Sequence, residues 1–130
     1  MNRYVVDAWA WVEYLIGSNY GLKLKEVLDE EGSEVYTCAI TLAEVISKSC
    51  TRGTGCSGGL CKMLFTNSQT VNANEELSLQ AGILHCEMRK TQKDFGLADA
   101  YVLATARRLN SKILTGEMHF KNVKNAVLIK

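Results

Sequence analysis

Short apolar runs rich in strand formers alternate along the chain with longer stretches whose apolar residues recur every three or four positions. Tyr4, Val5 and Val6 form the first run. It stops at a carboxylate, Asp7, and a helix-length apolar pattern over residues 8–16 begins at once. Residues 20–31 predict a second helix, with Leu24, Val27 and Leu28 on one side and Gly32 to end it. A second strand is expected over 34–39 and a helix over 41–49. Residues 51–59, TRGTGCSGG, hold four glycines and predict a loop or a broken helix. A helix over 60–65 and a short third strand over 69–73 follow. Asn74 is placed to cap a helix over 75–91, whose apolar face is Leu77, Ala81, Leu84 and Met88, with His85 beside that stripe at the surface or core edge. Residues 97–110 predict another helix, and between Gly96 and Ala106 its only charged residue is Asp99. A helix apolar nearly all round is a buried one. Strands over 112–115 and 126–129 complete the pattern. Strands alternating with helices predict an α/β fold with a parallel sheet covered on both faces.

The length, 130 residues with 47% hydrophobic, suits one domain over 1–130 with a single core. No apolar run reaches the roughly 18 residues of a membrane span. Asp7 and Glu13 interrupt the N-terminal apolar stretch where a secretion signal needs an unbroken one, so the expected location is the cytoplasm, away from membranes. The net charge of +1 hides an asymmetry: residues 1–43 carry three Lys/Arg against seven Asp/Glu, and residues 87–130 nine against four. A basic C-terminal third is compatible with a polyanionic partner and equally with a solvated surface. The five cysteines, an odd number without a secretion signal, argue against a secreted disulfide framework. Cys50, Cys56 and Cys61 lack the paired spacing of a structural zinc site and are expected as free thiols, although Cys56 and Cys61 could close a small loop. Cys38 and Cys86 lie in apolar segments and are expected in the core.

Four acids share one property: each falls at a junction expected at the carboxyl edge of the sheet, where ligands bind in open α/β folds. Asp7 ends the first strand, Glu44 enters the helix after the second, Asp99 opens the buried helix, and Glu117 follows the fourth strand at Thr115-Gly116. Each also has a purely structural reading. Asp7 is a good N-cap. Glu44 completes a capping box with Thr41. Asp99 suits a helix N-terminus, and Glu117 suits an exposed turn. Together they point further, because an acid among Leu97, Ala98, Ala100 and Tyr101 needs a partner or a cation. Converging carboxylates repel and shift upward in pKa unless a cation neutralises them, and oxygen ligands suit Mg²⁺ or Mn²⁺. No GxSxG or P-loop pattern competes.

These segments, YVVDAWAWVEYL at 4–15, ITLAEV at 40–45, FGLADAYVLATARRLNSKILTGEMHF at 95–120 and AVLI at 126–129, resemble the PIN domain family, and within it the small VapC-type ribonuclease toxins. The resemblance implies a three-layer α/β/α sandwich with a central parallel sheet in strand order 3-2-1-4-5. It implies an endoribonuclease dependent on Mg²⁺ or Mn²⁺ that leaves 5′-phosphate and 3′-hydroxyl ends. It puts Asp7, Glu44 and Asp99 in the places of the three most constant metal-binding acids. Glu117 takes the place of a fourth, Thr115 that of a supporting threonine, and Phe120 that of a packing phenylalanine. It further implies an antitoxin protein that occupies the groove, and a homodimer. Two positions depart from the family. Glu117 is one methylene longer than the usual aspartate, which bears on a second metal site. Trp9 replaces a small hydroxyl residue, and could narrow the groove, stack a base or join Trp11 in the core.

The implied mechanism is hydrolysis of an RNA phosphodiester, with Asp7, Glu44 and Asp99 holding one ion and Glu117 a second ion or the attacking water. Arg107, Arg108 and Lys121, with Lys112 and Lys124, are the candidate contacts to the RNA backbone. Three rivals share some of these features. One is a catalytically weak PIN-fold module that binds RNA or protein. Another is an RNA-processing nuclease without an antitoxin. A third is a phosphatase or receiver with Asp after its first strand, but the phosphatases need a second Asp where Trp9 stands, and a receiver needs an acidic pair that is missing here.

Overall fold

The computed structural model describes residues 2–51 and 58–130, with the side chains of 51, 58 and 61 left out. Its centre is a five-stranded, wholly parallel sheet in the order β3-β2-β1-β4-β5. The strands are β1 (Arg3–Val6), β2 (Glu34–Cys38), β3 (Gln69–Val71), β4 (Lys112–Thr115) and β5 (Ala126–Leu128). The helices are α1 (Ala8–Leu15), α2 (Gly21–Asp29), α3 (Ala39–Thr51), α4 (Gly58–Asn67), α5 (Glu75–Met88) and α6 (Leu97–Leu109), and a single 3₁₀ turn covers Met118–Phe120. The three-layer α/β sandwich and its strand order are as the sequence led us to expect. Most of the glycine-rich segment expected as a loop, and Cys56 with it, lies outside the described residues, as does the side chain of Cys61.

The period of two along each strand divides the core. Tyr4 and Val6 of β1 and Leu114 of β4 face one way, onto Trp11, Leu24, Val27, Val45 and Leu64 from the first four helices. Val5 and Ile113 face the other, onto Leu77, Ala81, Val102 and Leu103 of α5 and α6, with Phe95 and Phe120. Hence β1 is apolar on both faces, the mark of a central parallel strand. Helix α2 ends by Asp29 and the chain turns through Gly32, whose φ of +86° is cheap only for glycine.

Trp11 is the largest fully buried side chain, and its polar edge is satisfied. Its indole N–H donates to the Thr37 hydroxyl at 3.1 Å. Thr37 and Ser68 hydroxyls lie 2.8 Å apart, and Ser68 spends its proton on the Leu64 carbonyl at 3.1 Å, so Thr37 donates to Ser68. This relay joins α1, β2 and the turn before β3.

Three expectations are corrected. Helix α3 starts at Ala39, directly from β2, so Thr41 lies inside it and forms no capping box with Glu44. The Thr41 hydroxyl is instead buried without a hydrogen-bond partner. Cys86 is exposed rather than in the core, because it sits off the Leu77–Ala81 stripe, whereas Cys38 is fully buried. Cys50 is disulfide-bonded rather than free. No helix among the described residues is long and apolar enough to cross a membrane.

The relay makes a stability prediction. Trp11→Ala should cost about 3–5 kcal/mol through the cavity it leaves. Trp11→Phe keeps most of the volume but removes the donor to the Thr37 hydroxyl, which still bonds Ser68, and should cost about 1–2 kcal/mol. Urea unfolding followed by circular dichroism checks both; native stability in Trp11→Phe would mean that the hydrogen bond contributes nothing.

Candidate active site

The parallel sheet aims the ends of β1, β2 and β4 at the same edge, and four carboxylates gather there. Asp7 caps a helix and also stands at this edge. It ends β1 and is the N-cap of α1: one oxygen, Oδ1, accepts the Ala10 N–H at 2.9 Å. The other, Oδ2, accepts a short hydrogen bond from the Thr115 hydroxyl. Only 3% of Asp7 is exposed. Burial pushes its pKa up to about 7; the bonds from Thr115 and Ala10 oppose that rise, and the charges of Glu117 and Asp99 add to it.

Thr115, fully buried at the end of β4, ties two acids together. Its hydroxyl donates to Asp7 and accepts the Glu117 backbone N–H at 2.9 Å, which fixes the turn that carries Glu117. Gly116 in that turn lies flat against the Trp9 ring, and a Cβ there would fall 2.1 Å from it. Trp9 is half-buried, tilted against Tyr20 at 5.6 Å, with the Lys130 ammonium 5.8 Å from its ring centre. It therefore walls the acid cluster, while Trp11 alone belongs to the core.

Glu44 is half-buried in α3. Burial raises its pKa; the charge of Lys48, one turn on, opposes the rise, and Asp99 and Glu117 add to it. Asp99 lies in the first turn of α6, and its side chain reaches back to accept the N–H of the N-cap Gly96 at 3.1 Å. The same oxygen, Oδ2, lies 2.9 Å from Nδ1 of His119. The other ring nitrogen, Nε2, is 3.3 Å from Asp94 Oδ2. Burial by itself would lower the His119 pKa, but the charge and hydrogen bond of Asp99, and then those of Asp94, outweigh it and raise the value.

The structure thus brings Asp7, Glu44, Asp99, Glu117 and Thr115 to one edge. It places the candidate RNA contacts differently. Arg107 and Arg108 lie in the last turn of α6, about 12 Å along its axis from Asp99 by helical rise. Arg108 there pairs with Glu76 at 3.0 Å. Lys121 is exposed just past the 3₁₀ turn, four residues after Glu117. Sequence reasoning missed Lys48 and His119. Helical spacing from Glu44 could have flagged Lys48, but nothing local links His119 to an acid twenty residues earlier.

The donor set fits a hard divalent cation. It is all carboxylate oxygen, and the burial that lifts Asp7 and Glu44, with the charges of Asp99 and Glu117 adding to it, is a cost such an ion offsets. Among the described residues, however, no group of three His, Cys, Asp or Glu side chains already stands disposed to hold a metal. Asp7 Oδ2 and Asp99 Oδ2 are instead engaged by protein donors.

Asp7 makes the folded state pH-sensitive. Its folded pKa of about 7 stands above the ordinary 3.8, so the stability it contributes is complete below about pH 4 and is lost as pH rises through 7. Metal-free Asp7→Asn, which keeps the cap, should melt several degrees above the native protein at pH 8. That gap should shrink as pH falls toward 4. Calorimetry in EDTA across this range checks it, and a gap independent of pH would refute the buried, uncompensated carboxylate.

The PIN domain family model matches residues 4–126. Similar solved structures include a toxin–antitoxin complex from Klebsiella pneumoniae, at 16% identity over 98% of each chain with a TM-score of 0.76. VapBC-1 from nontypeable Haemophilus influenzae matches at 17% identity over 98% of each chain, TM-score 0.70. VapC20 from Mycobacterium tuberculosis, a Sarcin-Ricin loop cleaving toxin, matches at 18% identity over 84% of this chain and 85% of that one, TM-score 0.63. At these identities the likeness is one of fold. No curated protein sequence matches the chain significantly.

Proposed function

The chain belongs to the PIN domain family, and from that premise we propose that it is an endoribonuclease dependent on Mg²⁺ or Mn²⁺, the toxin of a toxin–antitoxin pair acting in the cytoplasm. The observation that carries this reading is the gathering of Asp7, Glu44, Asp99 and Glu117 at the carboxyl edge of the sheet, with Asp7 buried there. Residues 1–130 form one nuclease domain in this reading.

Asp7, Glu44 and Asp99 would hold one divalent ion, and Glu117 a second ion or the attacking water. When bound, the ion supplies Lewis-acid stabilisation to the phosphodiester oxygens and lowers the pKa of water. The chain's own groups do the rest. The Thr115 hydroxyl and the Ala10 N–H fix the Asp7 carboxylate in one plane, and Thr115 sets the turn that brings Glu117 beside it. Gly116 and the Trp9 ring pack out water on that flank. Lys48, exposed one turn after Glu44, holds positive charge at the rim, where a polyanion would approach. Lys121 lies nearest in sequence to the acids among the candidate backbone contacts. Arg107 and Arg108 would meet only an RNA long enough to extend along α6.

The similar structures are toxin–antitoxin complexes and a toxin that cleaves the Sarcin-Ricin loop. They support an RNA substrate and an antitoxin protein as partner, and a homodimer is the assembly proposed.

The test is cleavage of labelled RNA by the purified protein with Mg²⁺ or Mn²⁺. Cutting should stop with EDTA, and Asp7→Asn should lower the rate by about 100-fold or more, the scale for losing one charge-stabilising group. Unchanged RNA in every lane, beside tight RNA binding, would favour a PIN-fold binding module without catalysis.

A further inference from the structure

His119 has no role in the proposed reaction, yet its ring reaches one of the acids at that edge. The 3₁₀ turn Met118–Phe120 lies against the loop that leads into α6, and aromatic packing holds the two together. Phe95 and Phe120, both fully buried, meet edge to face at 5.8 Å, and the His119 ring packs edge to face on Phe95 at 6.3 Å. Phe95 thereby holds one side of the imidazole before its nitrogens are considered.

Those nitrogens divide unequally. Nδ1 reaches Asp99 Oδ2 at 2.9 Å, where the Asp99 side chain is 20% exposed. Nε2 reaches Asp94 Oδ2 at 3.3 Å, where Asp94 is 82% exposed. A longer contact to a solvated carboxylate is worth little, so the Asp99 contact dominates. With the Gly96 N–H at 3.1 Å, two donors converge on the single oxygen Oδ2. Among the described residues no protein donor engages Oδ1. A carboxylate pinned through one oxygen by two donors from different segments has its plane fixed and its other oxygen left over.

We propose that His119 is a positioning residue: its Nδ1–H holds Asp99 Oδ2 so that Oδ1 is presented to the divalent cation. This rests on the metal-dependent reading above. Partners that orient a ligating group characteristically change metal affinity by about 10- to 100-fold when removed. A staple that merely joined the turn to the loop would change stability and leave affinity alone.

The test is calorimetric titration of Mn²⁺ into the full chain without RNA, using native protein, His119→Asn, His119→Gln and Asp94→Asn, each checked for folding by circular dichroism. The asparagine amide occupies the place of Nδ1 and keeps a donor to Asp99, whereas the glutamine amide occupies the place of Nε2 and keeps only the Asp94 side. His119→Gln should weaken Mn²⁺ binding by about 10- to 100-fold. His119→Asn should restore most of that loss, and Asp94→Asn should bind as the native protein does. Native affinity in folded His119→Gln would overturn the positioning role alone, as would equal losses in the Asn and Gln variants. A native protein that binds no Mn²⁺ would overturn the metal-dependent reading and the positioning role with it.

Discussion

The structure turns on the Asp7 carboxylate, an acid held out of water at the end of the central strand. Its position follows from topology. With β1 flanked by β2 and β4, the residue after β1 lies between the start of α3 and the turn after β4. Parallel strands end at the same edge, so the acids that follow each one converge on it. The Asp7 backbone N–H bonds to Leu114 of β4 at 3.2 Å, which continues the sheet into the site. One oxygen then starts α1 and the other closes onto Thr115. The same carboxylate nucleates a helix, stitches two strand ends and sets the charge of the pocket.

Electrostatics runs against folding at this edge. Four carboxylates with one buried among them destabilise the metal-free chain at neutral pH, and the apolar cores on both faces of the sheet offset that cost. The compensation offered by the protein is partial and peripheral. Lys48 opposes the rise at Glu44, and His119 caps one oxygen of Asp99. Neither enters the space between Asp7 and Glu117.

Much of the fold was legible because its signals are local. The run from Tyr4 to Asp7 into an apolar helix, the Asn74 cap and the nearly uncharged α6 each state their element within a few residues. The four acids were legible for the same reason: Asp7 follows β1, Glu44 lies in the helix after β2, Asp99 opens α6 and Glu117 follows β4. Misplaced features depended on tertiary context. Helix α3 begins two residues before Thr41 because β2 passes into it without a loop, a choice that the capping pattern cannot reveal. Capping α1 leaves the second Asp7 oxygen free to bond Thr115 across the sheet edge, a contact that no local pattern shows. The bond from His119 to Asp99 spans twenty residues and depends on how Phe95 meets Phe120. The basic C-terminal third proved to be spread out: Arg107 and Arg108 sit at the far end of α6 from Asp99, and Lys130 lies over Trp9.

The most direct measurement is the pKa of the Asp7 carboxyl itself, followed by carbon NMR across pH with and without Mg²⁺. A diamagnetic ion leaves the signal readable. A value near 7 in the metal-free protein, falling well below the usual carboxylate range once Mg²⁺ is added, is what a buried acid awaiting a cation requires. An ordinary value without metal, or a raised value that Mg²⁺ leaves unchanged, would contradict it.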